Sequence, residues 1–115
     1  MKRSLTNDER DFIVRIAQKL GGSEGAQLLA DMQNADAIPA TGDSSRIQFE
    51  IPGYERAAYN GQHPYGVEGK MLDQDGVELS ILLHADANGR LFELELLRWG
   101  EGDLIHPDWN TLELY

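Results

Sequence analysis

A chain of 115 residues, 41% of them hydrophobic, is long enough for one core and too short for two, so residues 1–115 read as a single domain. It has no cysteine, which excludes disulfides, thiolate metal sites and a cysteine nucleophile, and no apolar run approaches the roughly 20 residues that span a bilayer. Twenty Asp and Glu against ten Lys and Arg leave a formal charge of −10, unevenly placed: residues 1–20 carry +2 and the remainder −12, a field that repels phosphate backbones and argues against autonomous nucleic-acid binding.

Met1-Lys2-Arg3 leads into polar residues and not into a signal-peptide core, so a cytoplasmic chain is expected. Thr6 and Glu9 then have the spacing of a capping box. Phe12, Ile13, Ile16, Ala17 and Leu20 follow at three- and four-residue intervals, predicting an amphipathic helix that stops at Gly21-Gly22. Ser23 is expected to cap a second helix carrying Ala26, Leu28, Leu29 and Met32 and ending near Asn34, with Gly25 weakening its first turn. The short glycine link makes the two helices a hairpin.

Beyond Asp36 the period changes from helical to alternating. Ala37-Ile38-Pro39 suits a short edge strand, where a missing amide donor is tolerated, before a turn at Thr41-Gly42-Asp43. Ile47, Phe49 and Ile51 alternate with Arg46, Gln48 and Glu50, a strand with one face buried, ended by Pro52-Gly53. Residues 53–66 form the longest irregular stretch and hold Tyr54, Tyr59, His63 and Tyr65; they are expected to fold over the sheet or border a site.

A three-strand meander follows. A Gln74-Asp75-Gly76 loop with Gly76 in a left-handed bulge puts Val67 and Met71 inside and Glu68 and Lys70 outside; a two-residue loop would bury the Lys70 ammonium unpaired. The Asp86-Ala87-Asn88-Gly89 turn predicts Leu83 opposite Phe92, Ile81 opposite Leu94 and Leu79 opposite Leu96 on the inner face. Leu82, Ser80 and Glu78 then oppose Glu93, Glu95 and Leu97 on a partly wet outer face. Residues 100–115 are too apolar for a free tail, and Thr111 to Tyr115 are expected to dock as a last strand. The fold class expected is α+β: two N-terminal helices packed on one face of an antiparallel sheet of about five strands.

Motifs for chemistry are absent. Residues His84 to Glu95 have the length of a calcium loop, but His84 offers nitrogen where a hard anionic oxygen is needed, so a hairpin turn is expected there instead. His63, His84 and His106 lack zinc-site spacing, no serine sits in a nucleophile-elbow motif, and Gly21-Gly22-Ser23-Glu24-Gly25 lacks the strand and the lysine of a phosphate loop. No catalytic residue, metal or cofactor is therefore assigned. Glu93 and Glu95 point the same way from one strand, where solvation is one reading and recognition of a basic partner the other. Trp99 precedes a mobile acidic loop holding Glu101 and Asp103, a composition suited to meeting Arg and Lys, while Trp109 is expected to pack the tail.

Asp73-Gln74-Asp75-Gly76-Val77, Leu79-Ser80-Ile81, Asp86, Gly89 and Leu91-Phe92-Glu93-Leu94-Glu95-Leu96 resemble a hairpin signature of small bacterial domains of uncharacterised function. That resemblance implies an N-terminal helix pair followed by the hairpins. In general look the chain also resembles the small, acidic, motif-free immunity proteins that neutralise toxins. The function expected is a non-enzymatic, acidic protein-binding module, an immunity-type inhibitor of a basic toxin such as a nuclease. Glu93, Glu95, Glu101 and Asp103 would supply charge, with Trp99, Tyr54, Tyr59, His63 and Tyr65 as anchors. The alternatives are a small ligand-binding domain or enzyme with a pocket near residues 53–66, and a homodimer through Leu82 and Leu97.

Overall fold

The first helix, α1 (Asn7–Leu20), begins where its capping box requires. Thr6 Oγ1 accepts from the Glu9 amide at 3.1 Å, and Glu9 Oε1 accepts from the Thr6 amide at 2.8 Å, so two otherwise orphaned donors are satisfied reciprocally. The computed structural model describes residues 2–56 and 61–115. The second helix, α2 (Gly22–Asn34), starts one residue before the expected Ser23 cap: Gly21, at φ +64°, occupies the cap position and no side chain caps the helix. A glycine at positive φ reverses the chain within one residue and leaves Ser23 inside the first turn. Gly25 has a purpose that helix propensity hides. It is buried against α1, and a Cβ there would run into the Ala17 carbonyl, so its bare Cα is what lets the helices approach.

Six strands follow: β1 (Asp36–Pro39), β2 (Arg46–Glu50), β3 (His63–Leu72), β4 (Glu78–Ala85), β5 (Leu91–Arg98) and β6 (Asp108–Leu114). They form one antiparallel sheet in the order β1-β2-β5-β4-β3-β6. Both helices lie in the N-terminal third, and Phe12, Ile13, Ile16 and Leu28 from them join Ile47, Phe49, Met71, Leu79, Ile81, Leu83, Leu91 and Leu94 in the core. Full burial of one such side chain contributes about 1.5–3 kcal/mol, so this face dominates stability. At one edge Arg3 bridges to Ala37 and covers part of β1; at the other, β6 runs beside β3.

The β3–β4 connection is the bulged turn that the sequence predicts. Gly76 sits at φ +86°, its amide donates to the Asp73 carbonyl, and Met71 pairs with Leu79 on the buried side. The β4–β5 hairpin differs from expectation in register by two residues. Leu83 opposes Leu94, Ile81 opposes Leu96 and Leu79 opposes Arg98. One residue is gained at the turn, where Gly89 at φ +77° permits the Asp86 amide to bond the Arg90 carbonyl. The second is gained at an irregularity where Ala85 opposes Leu91 but His84 opposes Glu93, leaving Phe92 extra. Two single-residue steps restore the face of Leu94 and Leu96, while Leu91 takes the core position expected for Phe92. Phe92 is half-buried under the Arg56 guanidinium, 5.1 Å from its ring centroid.

Two further boundaries move. Strand β3 begins at His63, so residues 63–66 are not irregular, and Tyr65 points inward with Val67 and Met71. Strand β6 begins at Asp108, three residues before the expected start, and Trp109 packs edge-on against Phe12 at 6.2 Å between centroids.

Candidate functional site

Five carboxylates are buried, and each has found an arginine: Glu9 with Arg3, Asp31 with Arg90, Asp73 with Arg98, Asp86 with Arg56 and Glu93 with Arg46. Burying a charge is costly unless it is paired and hydrogen-bonded, which explains the matching. Lys2, Arg15 and Lys70 also reach carboxylates, so eight of the ten Lys and Arg residues are engaged among the described residues. The consequence is electrostatic: the basic groups are spent internally, and the surface keeps the uncompensated acids.

At the β4–β5 turn, Arg90 grips Asp31 of α2 through Nε and Nη2 at 3.0 and 2.7 Å, and the Leu91 amide adds a third donor type at 3.1 Å. The Arg90 guanidinium lies 4.3 Å from the Tyr54 ring centroid, and the Tyr54 hydroxyl donates to Asp86 at 2.7 Å. Hydrogen bonding to Asp31 raises the already high pKa of Arg90. Burial pushes Asp86 up, but bonds from Tyr54, the Arg90 amide, Arg56 and the Asn88 amide outweigh it and hold the carboxyl below its usual range. Tyr65 lies nearby with its hydroxyl buried and unpartnered among the described residues; burial, then the charges of Asp31 and Asp86, push its pKa well above the tyrosine norm.

The opposite end is organised by Asp73. Its carboxylate accepts from the Gln74, Ile105 and His106 amides at 2.8, 3.0 and 2.8 Å and from Arg98 Nη1 at 2.8 Å. Burial pushes Asp73 up, yet these donors leave it below the ordinary carboxyl value. Arg98 also bonds both oxygens of Asp75, which holds that exposed carboxyl at about 2, and donates from Nε to the Glu101 carbonyl. Asp43 accepts from the Leu104 amide at 3.2 Å. The loop after Trp99, expected to be mobile, is thus tied at Glu101, Leu104, Ile105 and His106.

The outer face of the sheet carries Trp99 at 67% exposure, with Nε1 donating to Ser80 Oγ at 2.6 Å. Cross-strand pairing sets Leu72, Glu78 and Trp99 in one row and Lys70, Ser80 and Leu97 in the next, and Leu72 and Leu97 are exposed. Glu101 and Asp103, in the loop that follows Trp99, are exposed and form no ion pair among the described residues.

Lower on the same face, Glu93 departs from expectation. It is 1% exposed and not on a wet surface, because Arg46 of the neighbouring strand covers it, with Nη2 3.1 Å from both oxygens. Glu95 is a quarter exposed in its side chain and lies 3.2 Å from His84 Nε2. Among the described residues, His84, Glu93 and Glu95 are the one group of three whose donor atoms converge as metal ligands do.

The residues singled out from sequence therefore separate. Glu93, Glu95, Trp99, Glu101 and Asp103 share the outer face or its bordering loop, whereas Tyr54 and Tyr65 belong to the Asp31–Asp86 network, and His63 is exposed at the start of β3. Tyr59 lies outside the described residues. Arg46, Asp31, Arg90 and Arg98 were not singled out, since each finds its partner across 23 to 59 positions and no local spacing signals it.

The architecture is that of an α+β domain, a helix hairpin on one antiparallel sheet with arginines directed at buried carboxylates. No described helix is long and apolar enough to cross a membrane. The profile of DUF6984, a domain of unknown function, matches residues 2–107, and the chain belongs to that family. No curated protein and no solved structure matches it.

Proposed function

We propose that this chain is a non-enzymatic binding module that receives a basic protein on the Trp99 end of its outer sheet face, acting as an immunity-type inhibitor of a basic toxin. The observation that carries the reading is Trp99, two-thirds exposed, at the start of a loop whose backbone is clamped and whose Glu101 and Asp103 are unpaired among the described residues. A large aromatic held in place loses little freedom on binding, and surrounding carboxylates steer a cationic partner and discriminate against others. A nuclease suits this surface because its own site must be positive to hold phosphate.

The test is affinity capture with the wild-type chain and with a Trp99→Ala/Glu101→Lys/Asp103→Lys variant, followed by association kinetics on the captured protein. The expected partner is basic, associates more slowly as salt rises, and binds the variant at least tenfold more weakly. A partner that is acidic, or that binds the variant as well as wild type, overturns the reading.

A second reading, a small-ligand site near residues 53–66, is favoured by the Tyr65 hydroxyl, buried and without a partner among the described residues. Thermal-shift screening against small polar metabolites addresses it: a ligand that stabilises wild type but not Tyr65→Phe supports this reading. If no compound shifts either protein and Tyr65→Phe is neutral or stabilising, the hydroxyl is only an unsatisfied buried group.

A further inference from the structure

We infer that His84, Glu93 and Glu95 bind a first-row divalent cation of the zinc type on the outer sheet face. The buried carboxylates are unequally satisfied. Asp73 accepts from three backbone amides and an arginine, Asp31 from Arg90, Gln27 and the Leu91 amide, and Asp86 from a tyrosine, an arginine and two amides. Glu93 is as deeply buried, yet among the described residues it accepts from one nitrogen of Arg46, a side chain that is itself 48% exposed. A carboxylate has about four acceptor positions, so Glu93 is the under-satisfied member.

A buried imidazole lies beside it, across the strand pair. His84 is 8% exposed, its Nε2 lies 3.2 Å from Glu95 Oε1, and its Nδ1 is buried without a partner among the described residues. The nitrogen that faces Glu95 is Nε2, so an ion shared with the two carboxylates is taken through Nε2 and relieves the shortfall at Glu93; the Nδ1 deficit is separate from it.

Strand geometry holds the three donors on one side. Glu93 and Glu95 are two apart on β5, His84 is the direct cross-strand partner of Glu93, and the irregularity that leaves Phe92 extra sits immediately before Glu93. The donor atoms lie within 4.8 Å of one another. An ion with bonds of about 2.0–2.2 Å needs its ligands roughly 3.3–3.5 Å apart, a separation that His84 Nε2 and Glu95 Oε1 already approach at 3.2 Å, whereas Glu93 must shift toward them from its contact with Arg46.

One imidazole and two carboxylates suit Zn2+, Mn2+ or Fe2+ and disfavour Ca2+ and Mg2+, which take oxygen. Two negative charges against one from Arg46 leave the site net anionic before an ion arrives. Glu95, a quarter exposed, opens one side to solvent, which supplies water as a fourth ligand.

The experiment is calorimetric titration of the full chain with zinc chloride, alongside visible absorption on adding Co2+. Expected are one saturable site and the intense absorption of four-coordinate cobalt. His84→Gln and Glu95→Gln should each weaken binding by at least about tenfold, and Arg46→Ala should strengthen it by removing a competing positive charge. Glu93→Gln is a poorer probe because Glu93 also holds Arg46; Glu95→Gln, checked for folding by circular dichroism, carries the test. Absence of saturable binding, or binding that survives both His84→Gln and Glu95→Gln, as adventitious binding at the exposed His63 or His106 would, overturns the inference. The titration uses the chain alone, so its outcome is distinguishable from that of the partner experiment.

Discussion

The two faces of this sheet come from the same alternating strands and are finished in opposite ways. On the inner face, Ile81, Leu83 and Leu94 are fully buried beneath α1 and α2, and the polar groups that enter this layer at its rim, Asp31 and Asp86, have several donors each. On the outer face, no described helix covers the strands. There Leu97 and Trp99 are left in water, and Glu93 is screened by one half-exposed arginine. The inner face is built for stability. The outer face keeps apolar and charged groups that folding does not require, and such groups are where binding is to be sought.

That contrast can be broken by substitution, most severely at Asp31. Asp31→Ala removes the partner of Arg90 and an acceptor of the Leu91 amide, and should cost about 3–5 kcal/mol in urea unfolding; a loss below about 1 kcal/mol would mean that the pair is dispensable. Gly69→Ala comes next. A Cβ at Gly69 would sit 2.6 Å from Ile81 Cγ2 and 3.1 Å from Leu112 Cδ1, so overpacking should cost about 1–3 kcal/mol by the same measurement.

Acid sharpens the comparison between the Asp73 end and the rest. Bonds from Ser45 hold Asp43 at about 2, and those from Arg98 hold Asp75 at about 2, both below the unfolded value near 3.8. A depressed carboxyl stabilises the fold above its unfolded pKa, and that contribution is lost as pH falls from about 4 through 2. Stability should therefore be level near neutrality and decline across this window, and Asp43→Asn/Asp75→Asn should flatten the decline. The smallest effect belongs to the outer face: Trp99→Ala should change stability by less than about 0.5 kcal/mol, which calorimetry can check.

How far the sequence spoke follows the same division. The capping box of Thr6 and Glu9, the edge placement of Pro39, the alternation at Ile47 and Phe49 and the turn at Gly76 were legible because each is set by neighbours a few positions away. The β4–β5 register was not, since two single-residue steps that preserve the inward side of Leu94 leave no trace in the hydrophobic pattern. Nor was the burial of Glu93, which depends on Arg46, 47 positions away. Glu93 and Glu95 look equivalent in an alternating strand, yet one lies beneath an arginine and the other beside a histidine. Position along a strand gives the side, and only the adjacent strands give the depth.

The Asp73 clamp has a consequence for local opening of the native state. Its donors come from Gln74 beside it, from Arg98 at the end of β5 and from Ile105 and His106 just ahead of β6, so one carboxylate ties the β3–β4 turn, β5 and the approach to the last strand together. The C-terminal strand is an edge of the sheet, held by β3 on one side and by this clamp at its entry. In hydrogen exchange the amides of Ile105 and His106 should open together with those of β6, ahead of the central hairpin.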